Sequence, residues 1–513
     1  MTSANFEKAL VALSNRKFFK NISISRGIER EALRSNLNGV ISKTMHPKSL
    51  GSALTNPFVT TDFAEALIEM VTPTFDTVEG LHSFLENLDF FVKENLNDEI
   101  LWNASMPCEL GDEKQVQIAE YGVSNTGRLK NIYRRGLRER YGSAMQCVSG
   151  IHYNFSLSKK SWQDFFNQNE SNQAEIDRAY FGLIRNVKRN YWLIAYLFGA
   201  SPICHQSFLQ KREHELIERK TDLYAETSTS LRMSDIGYQS LEQDNLKISY
   251  DNLDTFVSGL VDGIKNPSKK FEKIGLFDKQ NYPLQISNGI LQIENELYDV
   301  VRPKRKVLAG ERPANILMSK GVEYIEFRGL DINPYEPVGI SKEQIQFLDL
   351  FLLHCLISES PMLEDNESKI IKENNRAVIY KGRGKQTTII VEGKEVSLNE
   401  AAKNLLEEIL AIGNEMALYD QSLKKLTEEF IPTVSPISKK IMSDIFDNQK
   451  THCELILELS KHHHENKKYN DRSQLDNFEK ASNQSIEEQM KLEEKDKIDI
   501  IEYLKNFNQS LRG

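Results

Sequence analysis

Cysteine is scarce. The chain of 513 residues carries five, at Cys108, Cys147, Cys204, Cys355 and Cys453, dispersed and odd in number. They make neither a disulfide framework nor a zinc-ligand pattern, so a reducing cytoplasm is expected. Long apolar runs are also missing. The most apolar stretch, Tyr191 to Ala200, is roughly half the length needed to span a bilayer. The N-terminus alternates small, polar and apolar residues instead of a basic start and an apolar core, so no export signal and no membrane partner are expected. An excess of basic charge is absent too: 65 Lys and Arg face 74 Asp and Glu, a formal charge of −9. That balance disfavours a nucleic-acid partner, which needs a basic face for phosphates. It leaves room for a nucleotide enzyme, where a few local cations and metal ions are enough.

What is present is ordinary folding material. With 40% hydrophobic and 27% charged residues, the chain is too apolar to stay disordered. Its pattern divides it into a catalytic α+β body over 1–345, a mainly helical continuation over 346–465 and a charged helical tail over 466–513 with a modest docking face. Phe6, Leu10 and Leu13 predict an amphipathic helix within residues 1–20, and Ile345 to Leu353 predicts a buried one. Arg376–Tyr380 and Thr387–Val391 predict a short hairpin joined by Lys381-Gly382-Arg383-Gly384-Lys385. Pro432 and Pro436 mark a break among the later helices. Gly382 to Thr387 has the flavour of a phosphate loop, but Gln386 and Ile379 stand where that motif needs Ser or Thr and its first Gly. His462-His463-His464 reads as solvated surface, since no carboxylates or cysteines converge on it.

The informative feature is a set of carboxylates inside extended or apolar segments. In Gly27-Ile28-Glu29-Arg30-Glu31-Ala32-Leu33-Arg34, a strand puts Glu29 and Glu31 on one face. Two such carboxylates repel unless a cation sits between them, although the same letters also fit an exposed helix. In Thr60 to Pro73, Asp62 either caps a helix or precedes a strand from Ala66, from which Glu69 would project. Leu291 to Tyr298 alternates Gln292, Glu294, Glu296 and Tyr298 along one expected polar face. The cationic run Arg302-Pro303-Lys304-Arg305-Lys306 follows it, suited to polyphosphate or to a surface patch. In Gly321 to Asp331 a strand gathers Tyr324, Glu326 and Arg328 on one face, for metal chemistry or for a buried ion pair. Oxygen ligands select hard cations, Mg or Mn, and several such ions with Arg and Lys at the rim suit ATP and phosphoryl transfer.

Longer phrases carry a resemblance. Gly27-Ile-Glu29-Arg-Glu31, Thr60-Thr-Asp62-Phe63-Ala-Glu-Ala-Leu-Ile-Glu69, Tyr121 to Arg128, Ser149-Gly-Ile-His152-Tyr-Asn154, Leu197 to Pro202, Thr229 to Tyr238, Ile293 to Tyr298 and Glu323 to Pro334 run in order over about 20–345. They resemble the proteobacterial glutamate–cysteine ligases. The resemblance implies ATP- and Mg-dependent ligation of the L-glutamate γ-carboxylate to the L-cysteine amine through a γ-glutamyl phosphate. It implies a fold similar to glutamine synthetase, a curved, mostly antiparallel sheet forming a funnel with helices behind it. By the same resemblance Glu29, Asp62, Glu69, Glu326 and Glu31 are metal ligands and Arg328, His152 and Asn154 contact the reacting groups. The cationic run, by its charge and not by the resemblance, offers Arg302, Lys304 and Arg305 as candidates to hold phosphates. Phe63, Tyr133, Leu137, Tyr238 and Tyr298 would surround the thiol, with Arg134 and Arg232 for substrate carboxylates. Glutathione is expected as a feedback inhibitor and a monomer as the state of assembly. Cys108, in Met106-Pro107-Cys108, is expected to be a buried, inert thiol.

Overall fold

A strand of thirteen residues, β1 (Ile24–Asn36), is the axis on which the main sheet is built. The computed structural model describes residues 3–210, 212–240, 242–308, 310–416 and 436–512. The other strands follow as β2 (Val59–Thr61), β3 (Leu67–Val71), β4 (Glu99–Leu101), β5 (Ile151–Leu157), β6 (Ile203–His205), β7 (Ile217–Arg219), β8 (Asp222–Tyr224), β9 (Val301–Lys304), β10 (Tyr324–Leu330), β11 (Thr388–Val391) and β12 (Lys394–Ser397). The main sheet has the order β2-β3-β1-β5-β10-β9, with β4 paired to the end of β1. Every pairing in it is antiparallel. The class is α+β, as expected.

Period-two alternation gives the sheet two chemically different faces. On β1, Ile28, Arg30 and Ala32 turn to the back and are fully buried, while Glu29 and Glu31 turn to the front. Behind the sheet lie the helices Gln173–Phe198 and Lys342–Ile357, the latter opened by a reciprocal cap between Ser341 and Gln344. Their apolar faces meet Ile28, Tyr153, Phe155, Ile325 and Phe327 in one core. Two arginines of that back face are paired with carboxylates. Arg26 donates to Asp349 at 2.7 Å and the Tyr153 hydroxyl donates to the same carboxylate at 2.6 Å. Arg30 donates to Asp89 and, at 2.7 Å, to Asn103.

Three expectations are corrected. Arg376–Tyr380 is the end of the helix Asp365–Lys381, with Val378 and Ile379 buried. The hairpin is instead β11–β12, closed by Glu392 and Gly393 at positive φ, the two-residue turn whose twist matches antiparallel strands. Leu291 to Tyr298 is no strand: Glu294–Glu296 is a 3₁₀ turn, whose repeat of three breaks the alternation. Its acids are structural, Glu296 paired with Arg140 at 3.0 Å and Glu294 with Arg312 at 2.9 Å. His463 is buried and holds the Pro334 carbonyl at 3.0 Å, so the histidine run is not all solvated surface. Ser3–Asn15 and Lys342–Ile357 are helical as expected. Pro432 lies outside the described residues. Among the described residues no helix is long and apolar enough to cross a membrane.

Candidate active site

Strand register assembles the front face. Glu31 on β1 faces Glu69 on β3, and Glu29 on β1 faces His152 on β5. One step along, Asn154 on β5 faces Glu326 on β10, which in turn faces Arg302 on β9. Arg328 lies two residues beyond Glu326 and so shares its face. The side chains converge. His152 Nδ1 lies 3.2 Å from Glu29 and 3.9 Å from Glu326, and its Nε2 lies 3.5 Å from Glu31. The Asn154 amide donates to Glu29 at 2.9 Å. Arg328 donates to Glu326 at 3.1 Å and to the Tyr238 hydroxyl at 2.6 Å, and Lys304 stands 3.6 Å from Glu326.

The charges of this face fall into two groups. Burial opposes ionisation of Glu326, but Lys304, Arg328 and Arg302 hold its carboxyl well below the usual range. Burial also works against Glu29, whose hydrogen bond with His152 and the charges of His152 and Lys304 still bring it below. The opposite happens one strand over. Burial pushes Glu69 well above the usual range, and Glu29, Asp62 and Glu31 push it further. Glu31 is raised by burial and by Asp62, against the pull of His152, Arg232 and Arg328.

These residues fit divalent cations. Glu29, His152 and Glu326 each offer a ligand atom within 4.8 Å of the others. Among the described residues, His152 Nε2, Asn154 Oδ1 and Glu326 Oε2 are buried without a hydrogen-bond partner, which is costly unless something else satisfies them. His152, expected from sequence to contact the reacting groups, lies among the carboxylates. One nitrogen thus joins a donor set that sequence reasoning expected to be oxygen alone.

Asp62 follows β2, its side chain 43% accessible. Its backbone carbonyl accepts from Arg134 and, at 2.9 Å, from the Tyr121 hydroxyl, and the Arg134 guanidinium stacks over the Tyr121 ring at 4.7 Å. Arg134 is carried by the helix Asn125–Tyr141, together with Tyr133 and Leu137. Phe63 and Leu137 are buried in one cluster against which Tyr133 and Tyr238 pack. Tyr298 joins it edge-on to Tyr238 at 4.7 Å, its hydroxyl held by Gln146 at 2.9 Å. Gln146 was missed; it lies in a short 3₁₀ turn with no motif to mark it. Arg232 is almost fully buried, donating to the Arg328 and Leu330 carbonyls at 3.2 and 3.3 Å, with Asp331 at 3.6 Å.

Beside Lys304 opens a cavity of about 250 Å³, with Phe256, Leu260, Leu297 and Tyr324 in its wall and Arg302 and Lys304 at its edge. Arg302 and Lys304 stand on the Glu326 face of β9, whereas Arg305 also borders the cavity but donates to the Gly321 carbonyl at 2.6 Å. Cys108 is buried, as expected, and burial pushes its thiol far up, away from the reactive thiolate.

A family model described as glutamate-cysteine ligase matches residues 8–378. A glutamate–cysteine ligase of Alcanivorax borkumensis is 47% identical over 407 residues, covering 78% of this chain and 77% of that protein. One of Saccharophagus degradans is 40% identical over 502 residues, 94% of each chain. Among solved structures, the glutamate–cysteine ligase of Francisella tularensis in complex with AMP superposes with a TM-score of 0.90 at 35% identity, covering 96% of this chain and 99% of that one. A bifunctional glutathione synthetase of Pasteurella multocida shares the fold, with a TM-score of 0.69 at 23% identity over 89% of this chain and 54% of that one.

Proposed function

This chain belongs to the glutamate–cysteine ligase family, and on that premise we propose that it joins the γ-carboxylate of L-glutamate to the amine of L-cysteine at the expense of ATP. The product is γ-glutamylcysteine, the first step of glutathione synthesis. The observation that carries this reading is the convergence of Glu29, His152 and Glu326 beside Arg328 on one face of the sheet. A carboxylate does not condense with an amine in water unless it is first activated. Transfer of the ATP γ-phosphoryl to the glutamate side chain gives a γ-glutamyl phosphate and ADP. The cysteine nitrogen then attacks the acyl carbon and phosphate leaves.

Each group has a task in that sequence. Glu29, His152 and Glu326 would hold one divalent cation, Mg or Mn, and Glu31, Glu69 and Asp62 another. When bound, such ions screen the triphosphate and the attacking carboxylate from each other. Arg328 is aimed across Glu326 and His152 by the Tyr238 hydroxyl, suited to the charge on the transferring phosphoryl group. The cavity beside Lys304 suits the nucleotide, with an apolar wall for the base and Arg302 and Lys304 at its rim for phosphates. Tyr133, Leu137, Phe63, Tyr238 and Tyr298 support a small apolar site for the thiol, and Arg134 a carboxylate at its edge. The position of Arg232, spent on main-chain carbonyls, supports a bracing role behind Arg328 more than direct contact with substrate. We place the enzyme in the cytoplasm as a monomer inhibited by glutathione, whose γ-glutamyl and cysteinyl parts match both substrate sites.

The test is ADP release by the purified protein with magnesium-ATP, L-glutamate and a panel of amines. Release that needs both glutamate and cysteine supports the reading. Glutamate-dependent release with another preferred amine would discard the thiol site, and no release with any amine would overturn the ligase assignment for this chain.

A further inference from the structure

The last forty or so residues do not simply trail along the surface; they are strapped to the wall that carries Asp62 and Arg134. The helix Arg472–Lys495 lies on two glycines with positive φ. A Cβ on Gly51 would stand 2.4 Å from the Ser485 hydroxyl, and one on Gly122 would stand 2.0 Å from the Gln489 amide. Beside those contacts the Ser52 amide donates to Ser485 at 2.9 Å and the Val123 amide donates to Glu493 at 3.0 Å. Beyond the helix the Asp496 carboxylate accepts from the backbone N–H of Asn125, and the Asn125 side chain donates to the Ile498 carbonyl at 2.9 Å. The final helix, Ile500–Gln509, then buries Ile500 and Leu504 against Ile132 and Ile286, with Tyr133 packed on the same cluster.

Asn125 is the first residue of the helix that carries Tyr133, Arg134 and Leu137. Its N–H is one of the donors a helix leaves unpaired at its start, where a carboxylate is favoured both as acceptor and by the helix dipole. We propose that Asp496 is a positioning residue for the amine subsite, setting the tilt of the Asn125–Tyr141 helix from outside the site. The consequence is selective. Glu29, Glu31, Glu69 and Glu326 are fixed by strand pairing, whereas Tyr133 and Leu137 are carried by that helix. This rests on the proposed reading of those two residues as the thiol wall.

The experiment uses the full chain with Asp496→Ala and, as the conservative control, Asp496→Asn, which keeps an acceptor oxygen. Asp496→Ala is expected to raise the KM for cysteine about five- to ten-fold, with kcat and the KM values for ATP and glutamate within about two-fold. Asp496→Asn should recover most of the loss. Hydrogen exchange of the Asn125–Leu137 amides, measured without substrate, should quicken in Asp496→Ala and not in Asp496→Asn. An unchanged cysteine KM with unchanged exchange would overturn the proposal, as would an equal rise in all three KM values. If the wild-type protein prefers a different amine, its KM replaces that of cysteine, so failure of the cysteine reading is told apart from failure of the strap.

Discussion

Glu31 on β1 and Glu69 on β3 stand directly opposite each other in an antiparallel pair. Like charges so placed destabilise a sheet by up to about 1 kcal/mol, and burial has already raised both carboxyls. Such a pair makes sense as a cation site kept at a cost to the empty protein. Glu69→Gln is therefore expected to melt at a slightly higher temperature than wild type without divalent ions. It should also lose most of the rise in Tm that added magnesium gives the wild type. Melting curves with and without magnesium decide it. An equal magnesium-induced rise in both proteins would remove Glu69 from the ligand set.

The strand-borne part of this site was legible in sequence, and the reason is geometric. Glu29 with Glu31, and Glu326 with Arg328, are each two residues apart, and any strand must put them on one face. What joins them is not local. His152 meets Glu29 and Glu326 only because β5 pairs between β1 and β10, a register set by contacts far apart in sequence. The run from Leu291 to Tyr298 misled for the converse reason. Its alternation was a coincidence of composition, and its acids found Arg140 and Arg312, distant residues that no local pattern could name. The hairpin was displaced because Val378 and Ile379, which suit a strand, are equally good on the buried side of a helix.

Glu326 is held ionised against burial by three cations, Lys304, Arg328 and Arg302. Glu326→Gln removes that charge and leaves the cations facing a neutral amide. Turnover is expected to fall about a hundred-fold or more while circular dichroism stays native, with the residual activity less dependent on magnesium. Full activity with ordinary magnesium dependence would take Glu326 out of the reaction.

Tyr298 touches the Tyr238 ring on one side and Gln146 on the other. Tyr298→Ala should raise the KM for cysteine about ten-fold and that for glutamate by less than about two-fold, the scale set by one apolar pocket contact. Steady-state kinetics with each substrate varied in turn makes the comparison. Equal effects would mean that Tyr298 only supports the scaffold.

Gly150 leaves room for Arg232. A Cβ there would lie 2.0 Å from the Arg232 guanidinium, while the Gly150 amide donates to Glu31 at 2.7 Å. Gly150→Ala must displace an arginine that braces the Arg328 and Leu330 carbonyls. We expect kcat/KM to drop about ten-fold or more, because Arg328 loses its support. Ordinary kinetics in the variant would show that Arg232 shifts freely and that its placement does not matter to the chemistry.

Acid should unfold this protein earlier than its carboxylates alone would dictate. His452 is 3% exposed and edge-on to Trp102. Burial, with His205 adding to it, lowers its pKa to about 3. Burial and then Arg34 lower that of His46 to about 4. Both rings are kept neutral in the folded chain, whereas the unfolded chain takes up their protons near the usual 6.5. The associated stability is thus complete above pH 6.5 and drains away as the pH falls from there toward the folded values, at pH 5.5 by about 1.4 kcal/mol for each ring. His452→Leu removes one of the two groups, and its backbone N–H can still donate to Asp222. The fall in Tm between pH 7.5 and pH 5.5 should therefore be smaller in the variant than in wild type, whatever the change in Tm at neutral pH. Parallel pH profiles would mean that His452 takes up its proton within the folded chain and contributes nothing to acid lability.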